Sequence, residues 1–330
     1  MTMHEFLGGV SMYKILVPKA LKPVAREFLT KKGYELVSPE ATDEASLAKA
    51  IADVDAVIAR TEKYTKTVVD AGKNLKIIAR YGIGYENIDL AACDAKNVTV
   101  TLARGCNTYS VAEHAISLML ACFRQIPQFN TEIRKGNWKS RDAIETHEAR
   151  YKTFGSIGIG PIGLEAVKIA HFGFQMRTLV YDKFVDRSQF PDWVEFVDTL
   201  DELMEQADVV SPHLPLNKGT FHIIDEEAIS HMKPTAVLLN VSRGAIWDEK
   251  AVYKALKEGR IAAAGADVFE TEPPAPDMPL FSLPNYIGCP HTAALTEEAV
   301  DAVAMNCAQA IDDLLNGREP KFIINHPKKD

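Results

Sequence analysis

Long apolar runs are missing from this chain of 330 residues. None approaches the 18 or more that a membrane-spanning helix requires. The start lacks a basic segment leading into an apolar core, so no secretion leader is expected and a cytoplasmic location is. Positive charge is in deficit. Lys and Arg number 37 against 45 Asp and Glu, a formal net charge of -8, whereas non-specific nucleic-acid binding needs a basic face to neutralise phosphates. Nucleic acid and membrane are therefore excluded as expected partners. Cysteine is scarce: Cys93, Cys106, Cys122, Cys289 and Cys307 are odd in number, widely spread and never in a C-x-x-C pair. Buried free thiols are expected, and no metal. Internal repeats and low-complexity tracts are absent, and the sequons at Asn97 and Asn240 carry no weight without secretion. What is present is an ordinary globular composition, 47% hydrophobic and 25% charged, in a chain long enough for two domains with cores of their own.

Short β-branched runs alternate with longer helical patterns, which predicts βα units and mainly parallel sheets. Strands are expected at Lys14 to Pro18, Tyr34 to Val37, Asp55 to Arg60, Leu75 to Arg80 and Val98 to Leu102. Ser110 and Glu113 spell a capping box ahead of an apolar run from Ala115 to Phe123, a helix hydrophobic enough all round to be buried. A second series follows, at Phe154 to Gly158, Thr178 to Asp182, Asp208 to Pro212, Ala236 to Asn240, Ala262 to Val268 and Tyr286 to Cys289, about what a six-stranded dinucleotide domain requires. The last segment, Thr296 to Asn316, has helical spacing and ends at a capping Gly317. Residues 1–11 are expected to be a frayed extension.

Gly158-Ile-Gly160-Pro161-Ile162-Gly163 reads as GxGxxG between a strand and a helix, the context in which the motif cradles a pyrophosphate. Pro161 suits a first helical turn. Asp182 ends the next strand, 19 residues past Gly163, where a carboxylate can accept hydrogen bonds from an adenosine ribose. That charge favours NAD over NADP, and the neighbouring Lys183 could soften the preference. Arg243 follows a strand and precedes Gly244, so its fork of donors either meets a carboxylate or makes a surface salt bridge. His291 follows another strand; His213 has a similar claim, and either could be a structural histidine. Tyr253 and Lys257 match the Y-x-x-x-K of another dehydrogenase class, but a solvated helix face accounts for them.

Collectively these residues resemble the D-2-hydroxyacid dehydrogenases, of the phosphoglycerate dehydrogenase and hydroxypyruvate reductase kind, over almost the whole chain. The motifs stand in order: Arg80-Tyr-Gly-Ile83-Gly84 with Asn87-Ile-Asp89, Ser110-Val-Ala-Glu-His114, the glycine fingerprint with Asp182, His213-Leu214-Pro215, Asn240-Val-Ser-Arg-Gly244, Asp267-Val-Phe-Glu-Thr-Glu272-Pro273, and Pro290-His291. The resemblance implies a catalytic Arg243, Glu272 and His291, with Asp267 holding the nicotinamide carboxamide. His213, Leu214, Pro215, Thr220, Val241 and Ser242 would line the cofactor cleft. Ile83, Gly84 and Asn107 would bind the substrate, and Arg60 and Arg80 either face its phosphate or carboxylate or form ion pairs at the domain rim. It further implies an α/β protein of two Rossmann-like domains. A doubly wound parallel-sheet NAD domain, 104–294, would be inserted in a smaller flavodoxin-like substrate domain, 1–103 and 295–330. A homodimer is implied, built partly on the helix at Ser110. Departures from the family pattern are Pro161 for a usual arginine, Ala293 and Ala294 for commoner glycines, and Tyr151 for a frequent glycine.

The implied reaction suits the residue types. Oxidising a secondary alcohol requires removal of the hydroxyl proton as hydride leaves carbon, and histidine can serve both directions near neutral pH. Glu272 would favour its imidazolium form, and Arg243 would neutralise the carboxylate and polarise the carbonyl oxygen. Hydroxypyruvate or its 3-phosphate is the expected substrate, with glyoxylate and D-lactate-type acids next. No regulatory domain is expected after residue 330, unlike the large feedback-regulated phosphoglycerate dehydrogenases. A non-enzymatic, NAD-binding corepressor-like protein of the same fold is the alternative; formate dehydrogenase, with glutamine in place of Glu272, is set aside.

Overall fold

The computed structural model describes residues 13–327, so the extension expected over residues 1–11 lies outside the described residues. The chain forms two compact units, one running to Asn107 and resuming at Glu297, the other Thr108–Thr296.

The first unit alternates β1 (Lys14–Leu16), α1 (Pro23–Lys31), β2 (Glu35–Val37), α2 (Glu44–Ile51), β3 (Ala56–Ala59), α3 (Lys66–Ala71), β4 (Ile77–Arg80), α4 (Leu90–Ala95) and β5 (Thr99–Leu102). Side chains of Asp43, Thr65 and Asp89 accept from the backbone N–H of Ser46, Val68 and Ala92, which starts α2, α3 and α4 where these short polar residues stand. The strands pair in parallel in the order β2-β1-β3-β4-β5, the flavodoxin-like order. Successive strand residues face opposite sides. Ile58 packs with Leu29 and Ile311, while Val57 and Ala59 pack with Leu47 and Val68. Both faces are covered, which is why these strands read as continuous apolar runs.

The second unit opens with α5 (Thr108–Arg124) and α6 (Ile126–Arg134). It continues through β6 (Thr153–Ile157), α7 (Pro161–Lys168), β7 (Arg177–Tyr181), β8 (Val194–Phe196), α8 (Leu200–Gln206) and β9 (Val209–Pro212). After these come α9 (Glu226–Ser230), β10 (Val237–Asn240), α10 (Glu249–Lys257), β11 (Ala263–Ala266) and β12 (Tyr286–Gly288). The chain then returns to the first unit as α11 (Glu297–Leu315), which packs on α1 and β4. All seven strands are parallel, in the order β12-β11-β10-β9-β6-β7-β8. The direction of winding reverses between β6 and β9, so a crevice opens at their carboxyl ends, where such sheets bind ligands.

Several local readings are corrected. Strand β8 was not expected: it is a three-residue edge strand with an exposed Glu195, too short for a pattern. Helix α5 begins at Thr108, two residues before the proposed cap. Ser110 lies inside it, and its hydroxyl bonds the hydroxyl of Thr296 at 2.8 Å instead of capping the helix. Helix α10 is amphipathic, and Tyr253 is partly buried against the core on it. All five cysteines are free, but Cys106 and Cys289 are only half-buried. Among the described residues no helix is long and apolar enough to cross a membrane.

Candidate active site

At the carboxyl end of β6 the backbone turns through Gly158 at φ +89, and its N–H donates to the carbonyl of Tyr181 at 2.9 Å. A Cβ at Gly158 would stand 2.8 Å from the His213 carbonyl oxygen, and one at Gly163 would stand 2.5 Å from the carbonyl oxygen of Gly158. Those two glycines let strand, turn and helix close up. Gly160 differs: a Cβ there would meet nothing within 4 Å, so space is open above the helix start. No side chain caps α7 at Gly160, and Pro161 takes its first position. The first-turn amides thus face that space without intrahelical partners. Asp182 closes the crevice. Its carboxylate accepts from Ile159 N at 3.0 Å and from Phe184 N at 2.9 Å, which fixes it beside the glycine turn. An open, amide-lined cradle beside an acceptor for a ribose fits an NAD-type dinucleotide.

The other wall of the crevice follows β9. Both ring nitrogens of His213 are buried without a partner among the described residues, and burial pushes its pKa down to about 4, so the ring is neutral. Thr220 ties its loop together, its hydroxyl donating to Pro215 O at 2.6 Å and accepting from Asn217 N at 2.9 Å. After β10, Asn240 holds the turn that carries Arg243. Its Oδ1 accepts from Ser242 N and Oγ, both at 3.1 Å, and its Nδ2 donates to the Arg243 carbonyl at 2.9 Å. Val241 is buried, and the exposed Arg243 guanidinium donates to Ser242 O at 2.7 Å.

The Arg243 turn presses on the segment that leads to Glu272. A Cβ at Gly244 would fall 1.9 Å from the carbonyl carbon of Phe269, so only glycine fits. Glu272 Oε1 accepts from Phe269 N at 3.1 Å, and Oε2 stands 2.8 Å from His291 Nδ1. A carboxylate only accepts, so Nδ1 carries the hydrogen, and Nε2 is left as the nitrogen able to exchange a proton. His291 is held at φ +54 with its side chain half exposed. Asp267 holds the turn beyond it. This carboxylate is completely buried, accepting from Thr292 N and Ala293 N at 2.8 Å each. A further clasp was not legible in sequence: Glu249 N donates to Glu270 Oε1 at 3.0 Å, Glu270 N returns a bond to Glu249 Oε1 at 2.9 Å, and His222 Nε2 lies 3.1 Å from Glu270 Oε1. Burial pushes the Glu249 carboxyl up, against the pull of the Glu270 N–H that it accepts. No local pattern joins residues so far apart in the chain.

In the first unit, Arg80 ends β4 and pairs in register with Ala59, so Arg60 and Arg80 share one sheet edge. Arg60 lies over the Tyr81 ring, 5.5 Å from its centroid. Arg80 donates to Tyr81 O, while its Nε is buried without a partner among the described residues; burial holds its pKa down, with Cys307, Glu86 and Glu62 opposing. Ile83 is exposed beside Gly84, where a Cβ would meet the Glu86 carboxylate at 2.8 Å. Asn107 ends this part of the unit with its Oδ1 buried and, among the described residues, unpartnered.

A doubly wound sheet with a glycine turn at its switch point defines a dinucleotide-binding α/β protein. The chain belongs to the D-isomer specific 2-hydroxyacid dehydrogenase family, whose NAD-binding domain residues 116–293 match. It is 41% identical over 318 residues to the D-3-phosphoglycerate dehydrogenase of Methanocaldococcus jannaschii, covering 96% of this chain and 60% of that protein. It is 38% identical over 305 residues to the hydroxypyruvate reductase of Thermotoga maritima, covering 92% and 98%. The NADPH-dependent glyoxylate/hydroxypyruvate reductase of Sinorhizobium meliloti superposes with a TM-score of 0.84 at 29% identity, covering 94% and 97%. The chain thus spans about three fifths of the phosphoglycerate dehydrogenase it matches and nearly all of the hydroxypyruvate reductase.

Proposed function

We propose that this protein uses NAD to interconvert a D-2-hydroxy acid and its 2-oxo acid. The observation that carries the reading is the 2.8 Å contact between His291 Nδ1 and Glu272 at the carboxyl end of a dinucleotide-binding sheet. NAD, when bound, accepts or supplies the hydride. The chain's own residues do the rest. Gly158, Gly160, Pro161, Ile162 and Gly163 would seat the pyrophosphate on the start of α7, and Asp182 would take the ribose. His213, Leu214, Pro215, Thr220, Val241 and Ser242 would line the far wall, and Asp267, which holds the 292–293 turn, would hold the nicotinamide amide. In reduction His291 Nε2 gives its proton to the carbonyl oxygen, Glu272 balances the imidazolium beforehand, and Arg243 grips the carboxylate and draws electron density onto that oxygen. In oxidation the proton returns to Nε2.

Hydroxypyruvate or its 3-phosphate is the preferred substrate, with glyoxylate and pyruvate-type acids next. Arg60 and Arg80 at one sheet edge, with Ile83 and Gly84 in the turn that follows, support an acid with more than one polar group, and Asn107 would add a further polar contact. This reading makes 104–294 the cofactor domain and 1–103 with 295–330 the substrate domain. We also infer a homodimer. Helix α6 has no buried residue, yet Ile126 is 55% exposed, Ile133 49% and the nearby Trp138 67%, an apolar face in want of a cover. Light scattering at twice the chain mass is the expected result. The experiment for the activity is loss of NADH absorbance with a panel of 2-oxo acids. No turnover with any of them would leave an NAD-binding protein without this chemistry. Arg60→Ala and Arg80→Ala should raise KM for the best substrate; an unchanged KM for every acid would remove both arginines from recognition.

A further inference from the structure

Three potential ligand atoms converge beside the set used above and share only Asp267 with it. His114 on α5, Asp267 just after β11 and Cys289 just after β12 present Nε2, a carboxylate oxygen and Sγ, all within 4.8 Å of one another. Rigid elements bring them together. Strands β11 and β12 pair Ala266 with Gly288, and Cys289 N donates to Ala266 O at 2.8 Å, so Asp267 and Cys289 leave adjacent strand ends. Gly265 lets α5 lie close, since a Cβ there would already stand 3.3 Å from Leu118 Cβ. His114 Nε2 is buried without a hydrogen-bond partner among the described residues, 3.6 Å from Asp267 Oδ1.

We propose that His114, Asp267 and Cys289 form a binding site for a zinc-class divalent cation. A nitrogen, an oxygen and a sulfur donor are a set such ions take, with a fourth position left for water. Tetrahedral zinc sets its ligand atoms roughly 3.3–3.6 Å apart, so the His114 to Asp267 spacing already suits and Cys289 closes about 1 Å by side-chain rotation. Charge balance also suits burial. A dication with one carboxylate, one thiolate and a neutral imidazole is electrically neutral, which removes the penalty of a bare buried ion. Asp267 Oδ1 accepts the Thr292 N–H at 2.8 Å, and the Thr292 hydroxyl, which donates to the same oxygen at a longer 3.4 Å, would give up that lone pair to the ion. Burial, and then the charge of Asp267, keep the Cys289 thiol protonated in the metal-free protein. Binding therefore exchanges the S–H bond for a sulfur–metal bond and releases one proton to solvent, so affinity rises with pH. The occupied site withholds Asp267 from the nicotinamide, making the ion an inhibitor that competes with NADH; this last step rests on the function proposed above.

Cobalt(II) chloride is the spectroscopic probe and zinc chloride the functional one. Added to the whole protein without NADH, cobalt should give a thiolate charge-transfer band in the near ultraviolet. The band should persist in Cys106→Ser, vanish in Cys289→Ser, and need at least about tenfold more metal in His114→Gln. A parent without the band, or a band surviving in Cys289→Ser, overturns the site. If Cys289→Ser fails to fold, alkylation of the unaltered protein decides: zinc should shield Cys289 from iodoacetamide and leave Cys106 reactive, and absence of that shielding overturns it. In turnover, zinc should inhibit competitively with NADH and be reversed by EDTA, with about tenfold or greater loss of sensitivity in Cys289→Ser. Cobalt binding in a protein that reduces no 2-oxo acid would keep the site and discard the proposed activity.

Discussion

His291 is held by three things its neighbours in sequence do not supply: the Glu272 carboxylate on Nδ1, a backbone at φ +54, and a following turn pinned by Asp267. His291→Asn should therefore lower kcat by roughly 10²- to 10⁴-fold, the loss of a general acid, while NADH binding measured by fluorescence stays near parental. Near-parental kcat in the folded variant would remove His291 from the mechanism. Glu272→Gln keeps the contact but not the charge, so the loss of kcat should deepen toward the alkaline end of the reductive profile; a uniform loss would make Glu272 a spacer. Asp182→Ala should narrow the preference for NADH over NADPH. Because this carboxylate also accepts from Ile159 N and Phe184 N, the same variant should cost about 1–3 kcal/mol in a denaturant titration. At this scale the glycine turn and Asp182 were legible from a motif, and the Glu–His pair through the family resemblance. The Asn240 bracket, the Gly244 contact with Phe269 and the Glu249–Glu270 clasp were not, since each joins positions that only folding brings together.

Elements of the first unit depend on a buried charge at the end of α11. Asp312, with its side chain 1% exposed, accepts from Tyr34 Oη at 2.8 Å, Arg318 at 2.6 Å and Lys32 at 3.2 Å. Burial pushes its carboxyl up, but Tyr34, Lys32 and Arg318 outweigh that and hold it below the ordinary Asp value. The native carboxyl thus ionises more readily than the unfolded one. Its contribution is complete above the unfolded value of about 3.9 and is lost as pH falls through the lower native value. Asp312→Asn should cost about 1–3 kcal/mol at neutral pH, discounted for the half-exposed cations, and that difference should shrink in acid. A constant difference down to the acid transition would mean the charge is not what matters. Tyr34, rising to about 12 through burial and then Asp312, stays a donor throughout. Elements themselves were legible where apolar periodicity ran long enough. Edge strand β8 offered three residues, and the Ser110 to Glu113 spacing imitates a cap because it falls inside a helix that starts earlier.

For the molecule as a whole, cofactor and folding are linked. NADH at a hundredfold excess over its Kd should stabilise the protein by about 2.7 kcal/mol and raise Tm, NADPH at equal concentration by less. No shift with either would contradict dinucleotide binding. The family, the parallel α/β architecture and the order of motifs were determined by the sequence alone, because strand burial and glycine turns impose local patterns that survive without coordinates. Only the tertiary structure decided which partners the other carboxylates serve. Asp267 to the 292–293 turn and Glu270 to Glu249 are choices among chemically alike groups, and distance makes them. The same reason placed His114, Asp267 and Cys289 together: a spacing in space that strands β11 and β12 and helix α5 set jointly has no counterpart in the spacing along the chain.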